Sequence, residues 1–194
     1  RFSALWRGHD IETATLLTRE ATIEAVGVAL RAACTGMGVG SRLIVTVSCH
    51  GGDEMNRQSI LLYNGKLKDS TINSWLKVIP AGIDVLWVCD TCNAAGMYRS
   101  PKPVKFTRRA IRGIHCGLIL IAGCGVGESS LDTLDGGLLS NSLLSTGPGN
   151  LSPREWFDAM MEVMDTRRQK PRFIKYGSIS VDFWGEPLVK PREL

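Results

Sequence analysis

A cysteine and a histidine each stand just beyond an apolar run, in a setting that suits nucleophilic chemistry. Asp84-Val85-Leu86-Trp87-Val88-Cys89-Asp90 is apolar and rich in β-branched residues, then breaks into Thr91-Cys92-Asn93-Ala94-Ala95-Gly96. Leu43-Ile44-Val45-Thr46-Val47-Ser48-Cys49 follows the same grammar and ends in His50-Gly51-Gly52. Each run predicts a buried strand, and each tail a tight turn at its carboxyl end. In α/β proteins, reactive groups gather in the crevice outside the carboxyl ends of the strands. As parallel neighbours the two runs would bring the Cys92 thiol and the His50 imidazole to one edge. A thiol is a weak nucleophile until a base takes its proton, and an imidazole titrates near neutrality. Together they have what acyl transfer requires.

The same residues suggest rival chemistries. Cys89-x-x-Cys92 has the spacing of a thioredoxin-like redox site. Cys89, however, falls inside the predicted strand and points away from the face of Asp90, whereas a redox motif opens a helix. Cys49, His50, Cys89 and Cys92 are four zinc-type donors. Strand alternation sends Cys49 and His50 to opposite sides, which spoils convergence. Gly36-Met37-Gly38-Val39-Gly40 precedes a strand and does not link strand to helix, so it reads as a turn and not a phosphate loop. Asp53, Glu54, Asp132 and Asp135 lack the spacing of a calcium loop, and no metal or other cofactor is assigned.

The elements that must position the pair follow from periodicity and turn chemistry. Ile11–Leu17 alternates as a strand, with Thr18 as a helix cap and a helix over 21–33, its Ile23, Val26, Val28, Leu30 and Ala33 partly buried. The strand 42–48 comes next, then a polar loop from Gly51 to Arg57 and a short strand or hairpin arm at Ser59–Tyr63. Asp69-Ser70-Thr71 caps a helix that runs to Ile79, and Pro80-Ala81-Gly82 stops it. Ile114–Ala122 is another buried strand, ending in a third edge loop, Gly123 to Ser130. Leu138–Leu144 has helical spacing. Ser152-Pro153-Arg154-Glu155 opens a further helix with cap, proline and acid in agreement. Ile179–Phe183 reads as a last strand. Strands alternating with helices predict an α/β sheet covered on both faces.

A strand ending in His-Gly and another ending in Asp-x-Cys, with small residues behind it, resemble the caspase-like cysteine peptidases. Asp90, two before the cysteine, is closer to metacaspases and paracaspases than to caspases, which carry Gln before the Ala-Cys pair. The separation of His50 and Cys92, 92 − 50 = 42 residues, is near the roughly 50 of caspases. The resemblance spans about Asp10 to Asp182. It implies a caspase-like three-layer sandwich with a mostly parallel six-stranded sheet, and a cysteine endopeptidase cleaving after Arg or Lys. In that reading Cys92 attacks, His50 moves the proton, and a backbone carbonyl orients the histidine. The amides of Gly51 and Cys92 hold the oxyanion, while Asp90 and Ser48 line the pocket for the basic residue. Asp53 and Glu128, acids on nearby loops, are further candidates to add to that pocket. Asn93 replaces the usual His after the cysteine, and Ala94-Ala95-Gly96 replaces Ser-Gly. Such folds begin with a strand and helix ahead of the position of Ile11–Leu17, and the resemblance implies that this N-terminal strand is missing here. Some metacaspases require calcium. The alternative within the same fold is an inactive interaction scaffold.

The stretch 97–113, MYRSPKPVKFTRRAIRG, carries two prolines and six basic residues and reads as an exposed loop. It joins the Cys92 strand to the next, where caspases are cut, so a pocket for basic residues makes Arg99, Lys102, Lys105, Arg108, Arg109 and Arg112 candidate self-cleavage sites of a zymogen.

At 194 residues the chain fits a single domain over 1–194. A net charge of +4, spread along the chain, gives little support to nucleic-acid binding. No apolar run approaches the roughly 20 residues of a membrane span. Four of the cysteines, Cys49, Cys89, Cys116 and Cys124, lie in or beside apolar strands as small hydrophobes. That usage points to a reducing, cytoplasmic setting. The chain opens at Arg1 without a signal-peptide pattern, and the expected partner is a peptide or protein substrate, with neither nucleic acid nor membrane.

Overall fold

The strand leading to Cys92 is the axis of the molecule: all seven residues of Asp84–Asp90 are buried. The computed structural model describes Phe2, Trp6 and residues 11–54, 57–96 and 113–189, with the backbone alone at 53, 54, 57 and 96. The candidate processing sites from Arg99 to Arg112 lie outside the described residues.

In chain order the strands are β1 (Arg42–Ser48), β2 (Gly51–Glu54), β3 (Arg57–Leu62), β4 (Gly65–Lys68), β5 (Asp84–Asp90), β6 (Gly117–Ala122), β7 (Asp132–Thr133), β8 (Gly136–Gly137) and β9 (Arg172–Tyr176). The helices are α1 (Ile23–Cys34), α2 (Asp69–Val78), α3 (Leu138–Thr146), α4 (Pro153–Val163) and α5 (Val181–Gly185). Among the described residues the main sheet has four strands in the order β1-β5-β6-β9, fewer than the six expected. Its first three strands are parallel and β9 runs antiparallel to β6.

Alternation along β5 divides the core. Val85, Trp87 and Cys89 join α1, α2 and the β2-β3-β4 sheet on one face. Leu86 and Val88 join α3, α4 and α5 on the other. The result is an α/β sandwich of three layers, the class expected of the caspase-like fold. Local chemistry fixes the helix ends. Thr22 caps α1 by accepting the Ala25 N–H at 3.1 Å. Ser152 and Glu155 form a reciprocal capping box on α4, with Pro153 at its first position.

Four expectations need correction. Ile11–Leu17 forms no strand; all but Ile11 and Leu16 of that stretch are exposed, so the alternation has no sheet to bury it, and Thr18 begins a single 3-10 turn while Thr22 is the cap of α1. In α1, Val28 and Ala33 are exposed. The polar stretch after Gly51 is not a loop but the first arm of the β2-β3-β4 sheet, where polar residues suit a strand edge. The last strand is Arg172–Tyr176, whereas Ile179–Phe183 leads into α5. There the Ser180 hydroxyl accepts the Phe183 N–H at 3.1 Å, and this cap overrides the alternation.

Candidate active site

Parallel register brings the two strand-end motifs together. Ser48 pairs with Asp90 as the last rung between β1 and β5, and the Cys49 N–H donates to the Asp90 carbonyl at 3.3 Å. The register ends at this rung, two residues before His50 on one strand and two before Cys92 on the other. The closeness is measurable at the next residue: a Cβ on Gly51 would lie 2.1 Å from the Cys92 carbonyl oxygen and 3.1 Å from its nitrogen. Glycine is therefore required where the chain turns out of β1, because the backbone of Cys92 occupies the space of a side chain. The His50 carbonyl accepts the Leu61 N–H at 2.9 Å, which ties the histidine to β3. Its side chain is exposed at the sheet edge.

Cys92 sits half-buried in a turn held by the 123–131 loop. Asn93 adopts φ +57°, a conformation that asparagine tolerates better than most residues. Its N–H donates to the Glu128 carbonyl at 3.0 Å, and its side-chain oxygen accepts the Gly127 N–H at 2.8 Å. Asn93, where the resembling family has His, thus has a defined structural task. The Cys92 Sγ–H makes a long contact of 3.9 Å to the carbonyl of Ser130.

Asp90 lies on the α3 face, 4% exposed, and both oxygens have partners. The Ser130 hydroxyl donates to one at 2.5 Å, and the Ser140 N–H in the first turn of α3 donates to the other at 2.8 Å. A carboxylate at a helix N-terminus is favoured by the unsatisfied N–H groups there. Ser48 lies exposed beside it at the end of β1. Glu128 does not join them: one oxygen accepts the Gly125 N–H at 2.6 Å and the other pairs with Arg172 at 3.0 Å. Asp53 is placed by its backbone in β2, opposite Gln58, and its side chain lies outside the described residues.

Sequence reasoning missed three participants. Ser130 was read only as part of an edge loop, Gly137 was assigned nothing, and Gln169 falls in the irregular stretch just before β9. A Cβ on Gly137 would lie 2.1 Å from an Asp90 oxygen. Gln169, 2% exposed, donates to the Gly123 carbonyl at 2.8 Å and accepts the Leu131 N–H at 2.6 Å, clamping both ends of the loop beside Cys92. The glycine-rich loop itself was the available signal; nothing local marks Gln169.

The six cysteines are free thiols. Burial pushes Cys49 and Cys89 up to about 12 and Cys116 up to about 11, and it also raises Cys34 and Cys124. Cys49 and Cys89 belong to the α1–α2 side of the core. Among the described residues, no three His, Cys, Asp or Glu side chains are grouped to hold a metal ion. Among the same residues no helix is long and apolar enough to cross a membrane.

The fold is similar to the crystal structure of protein GSU0716 from Geobacter sulfurreducens, with a TM-score of 0.77 and 21% sequence identity. The alignment covers 95% of this chain and 84% of that one, and at this identity it speaks to fold alone. No family model matches the chain, and no curated protein matches it.

Proposed function

We propose that the protein is a caspase-like cysteine endopeptidase working through a Cys92–His50 dyad. The observation that carries the reading is the parallel register that ends β1 and β5 together at Ser48 and Asp90, two residues before His50 and Cys92, with Gly51 packed on the Cys92 backbone. In the proposed cycle His50 takes the thiol proton and Cys92 Sγ attacks the peptide carbonyl. The tetrahedral oxyanion is met by the N–H groups of Gly51 and Cys92, which leave the two strand ends side by side. As the C–N bond breaks, His50 returns the proton to the amine, leaving a thioester on Cys92. Water, deprotonated by His50, then releases the acid and restores the thiol.

Burial raises the thiols of Cys49, Cys89 and Cys124, which disfavours those three as nucleophiles at this edge. Burial of Cys89 in the opposite core disfavours a redox pair with Cys92. For specificity we retain a basic residue before the scissile bond. An ionised carboxylate offers about four acceptor sites; two at Asp90 are taken by Ser130 and Ser140, so others can receive a guanidinium beside Ser48.

A peptide chloromethyl ketone ending in Arg tests the assignment, since a thiolate displaces its chloride. Mass spectrometry should find one adduct, on Cys92, formed much more slowly in His50→Ala. Labelling of another cysteine, or none, contradicts the dyad.

A further inference from the structure

Helices α1 and α2, on the Trp87 side of the sheet, leave a space between them. Gly27, Leu30, Arg31 and Cys34 recur at three- and four-residue steps, so they share one stripe of α1. That stripe, Trp75 of α2 and Trp87 of β5 line a cavity of about 300 Å³. Its Trp87 wall is buried, while Arg31 and Val78 at its rim are exposed. The volume is about ten times a water's share of the liquid, and protein interiors leave few voids larger than one water. It falls at the small end of the range for ligand pockets. We infer that this cavity binds a small carboxylate with an apolar body, the carboxylate on the Arg31 guanidinium and the body against Trp75 and Trp87. The inference stands apart from the chemistry proposed at Cys92. In chain order α1 and α2 lead into the amino ends of β1 and β5, whereas Cys92 follows the carboxyl end of β5.

Glycine at 27 stands inside α1, where that residue is unfavourable. A Cβ there would meet the Trp75 ring at 3.1 Å and Arg31 Nη1 at 3.5 Å, so indole and guanidinium converge on one bare point of the helix. Arg31 is not needed to cap α1. The Thr35 hydroxyl donates to the Arg31 carbonyl at 3.0 Å, and the Thr35 N–H donates to the Ala32 carbonyl at 3.0 Å. Nor does the guanidinium form an ion pair among the described residues. No other residue lining the cavity carries a charge. A guanidinium presents parallel N–H donors that fit a carboxylate in bidentate fashion. The rest of the ligand follows from the walls. Indole and aliphatic surfaces suit a hydrocarbon body, whereas a sugar would leave its hydroxyls without partners. An amine would meet Arg31 as a like charge.

The test uses 4-phenylbutanoate and its uncharged match 4-phenylbutanamide, titrated by calorimetry into wild type, Arg31→Gln and Cys34→Phe. Thermal unfolding of each protein is measured alongside. The acid should bind wild type in a single site, and the amide about tenfold or more weakly. Arg31→Gln, at an exposed position, should erase that preference. Cys34→Phe fills the cavity and should abolish binding of both. Cys34 lines the cavity, so bound acid should slow its labelling by N-ethylmaleimide in proportion to occupancy, read by mass spectrometry of the Cys34 peptide. That readout uses the wild-type chain and locates the site even where the Phe variant fails to fold. Equal affinities for acid and amide, a preference unchanged in Arg31→Gln, or Cys34 labelling untouched by bound acid each overturn the inference. So does a lack of binding up to about 1 mM. Self-association of wild type that Val78→Asp abolishes, with neither probe bound, would overturn it in favour of a second copy on this face. None of these readouts uses peptide cleavage, so a missing peptidase activity sinks only the proposed function.

Discussion

The carbonyl oxygen of Cys92 stands 2.1 Å from where a Cβ on Gly51 would be, so the residue after the histidine and the cysteine itself share one backbone contact. Backbone atoms cannot rotate aside as a side chain can. Gly51→Ala should push the ends of β1 and β5 apart and misdirect both amides proposed for the oxyanion. Loss of one such donor costs about 10²–10³-fold in turnover. A fall in kcat of at least about 100-fold is expected in steady-state assays, with the variant still folded by circular dichroism.

Asp90 ties the end of β5 to the loop at Ser130 and to the start of α3. Asp90→Ala removes both bonds and leaves the Ser140 N–H buried, which should cost about 3 kcal/mol. Urea denaturation measures it. Gly137→Ala, whose new methyl would meet the same carboxylate, should also destabilise the protein.

The buried thiols make the fold sensitive to alkali. Cys49, Cys89 and Cys116 are raised to about 12, 12 and 11 in the folded chain against 9.0 for the free group, chiefly by burial and further by neighbouring acids and thiols. A raised folded value means the native state keeps protons that the unfolded chain releases. The contribution is complete below about pH 9 and is lost as pH rises from there toward 12. The urea midpoint should decline over that window, and Cys89→Ala should shallow the decline.

Much of the site was legible because strand ends write themselves plainly. The run 42–48 was placed at its observed bounds, and the small residues after Asp90 marked the turn. Ser152-Pro153-Arg154-Glu155 announced α4, because capping is local chemistry. What depended on distant neighbours was not legible. Ile11–Leu17 alternates but has no sheet to join, and Ile179–Phe183 gave way to the Ser180 cap. Ser130 and Gln169 act on groups about 40 residues away, 130 − 90 = 40 and 169 − 123 = 46, and no spacing rule spans such gaps. Glu128, read as a pocket acid, is paired instead with Arg172 of the strand that was missed.

The charge at Ser48–Asp90 carries a specificity prediction. Asp90→Asn keeps size and removes charge, so it should raise KM for peptides ending in Arg about tenfold or more while changing an uncharged substrate little. Equal losses for both substrates would assign Asp90 to holding the loop alone.

The most direct measurement is hydrolysis of fluorogenic peptides ending in Arg, Lys and Asp by wild type, Cys92→Ala and His50→Ala. The account predicts cleavage after Arg and Lys, none after Asp, abolition in Cys92→Ala, and a fall of at least about 100-fold in His50→Ala. Cleavage that survives in Cys92→Ala, or a folded wild-type protein that cleaves none of the three, would contradict it.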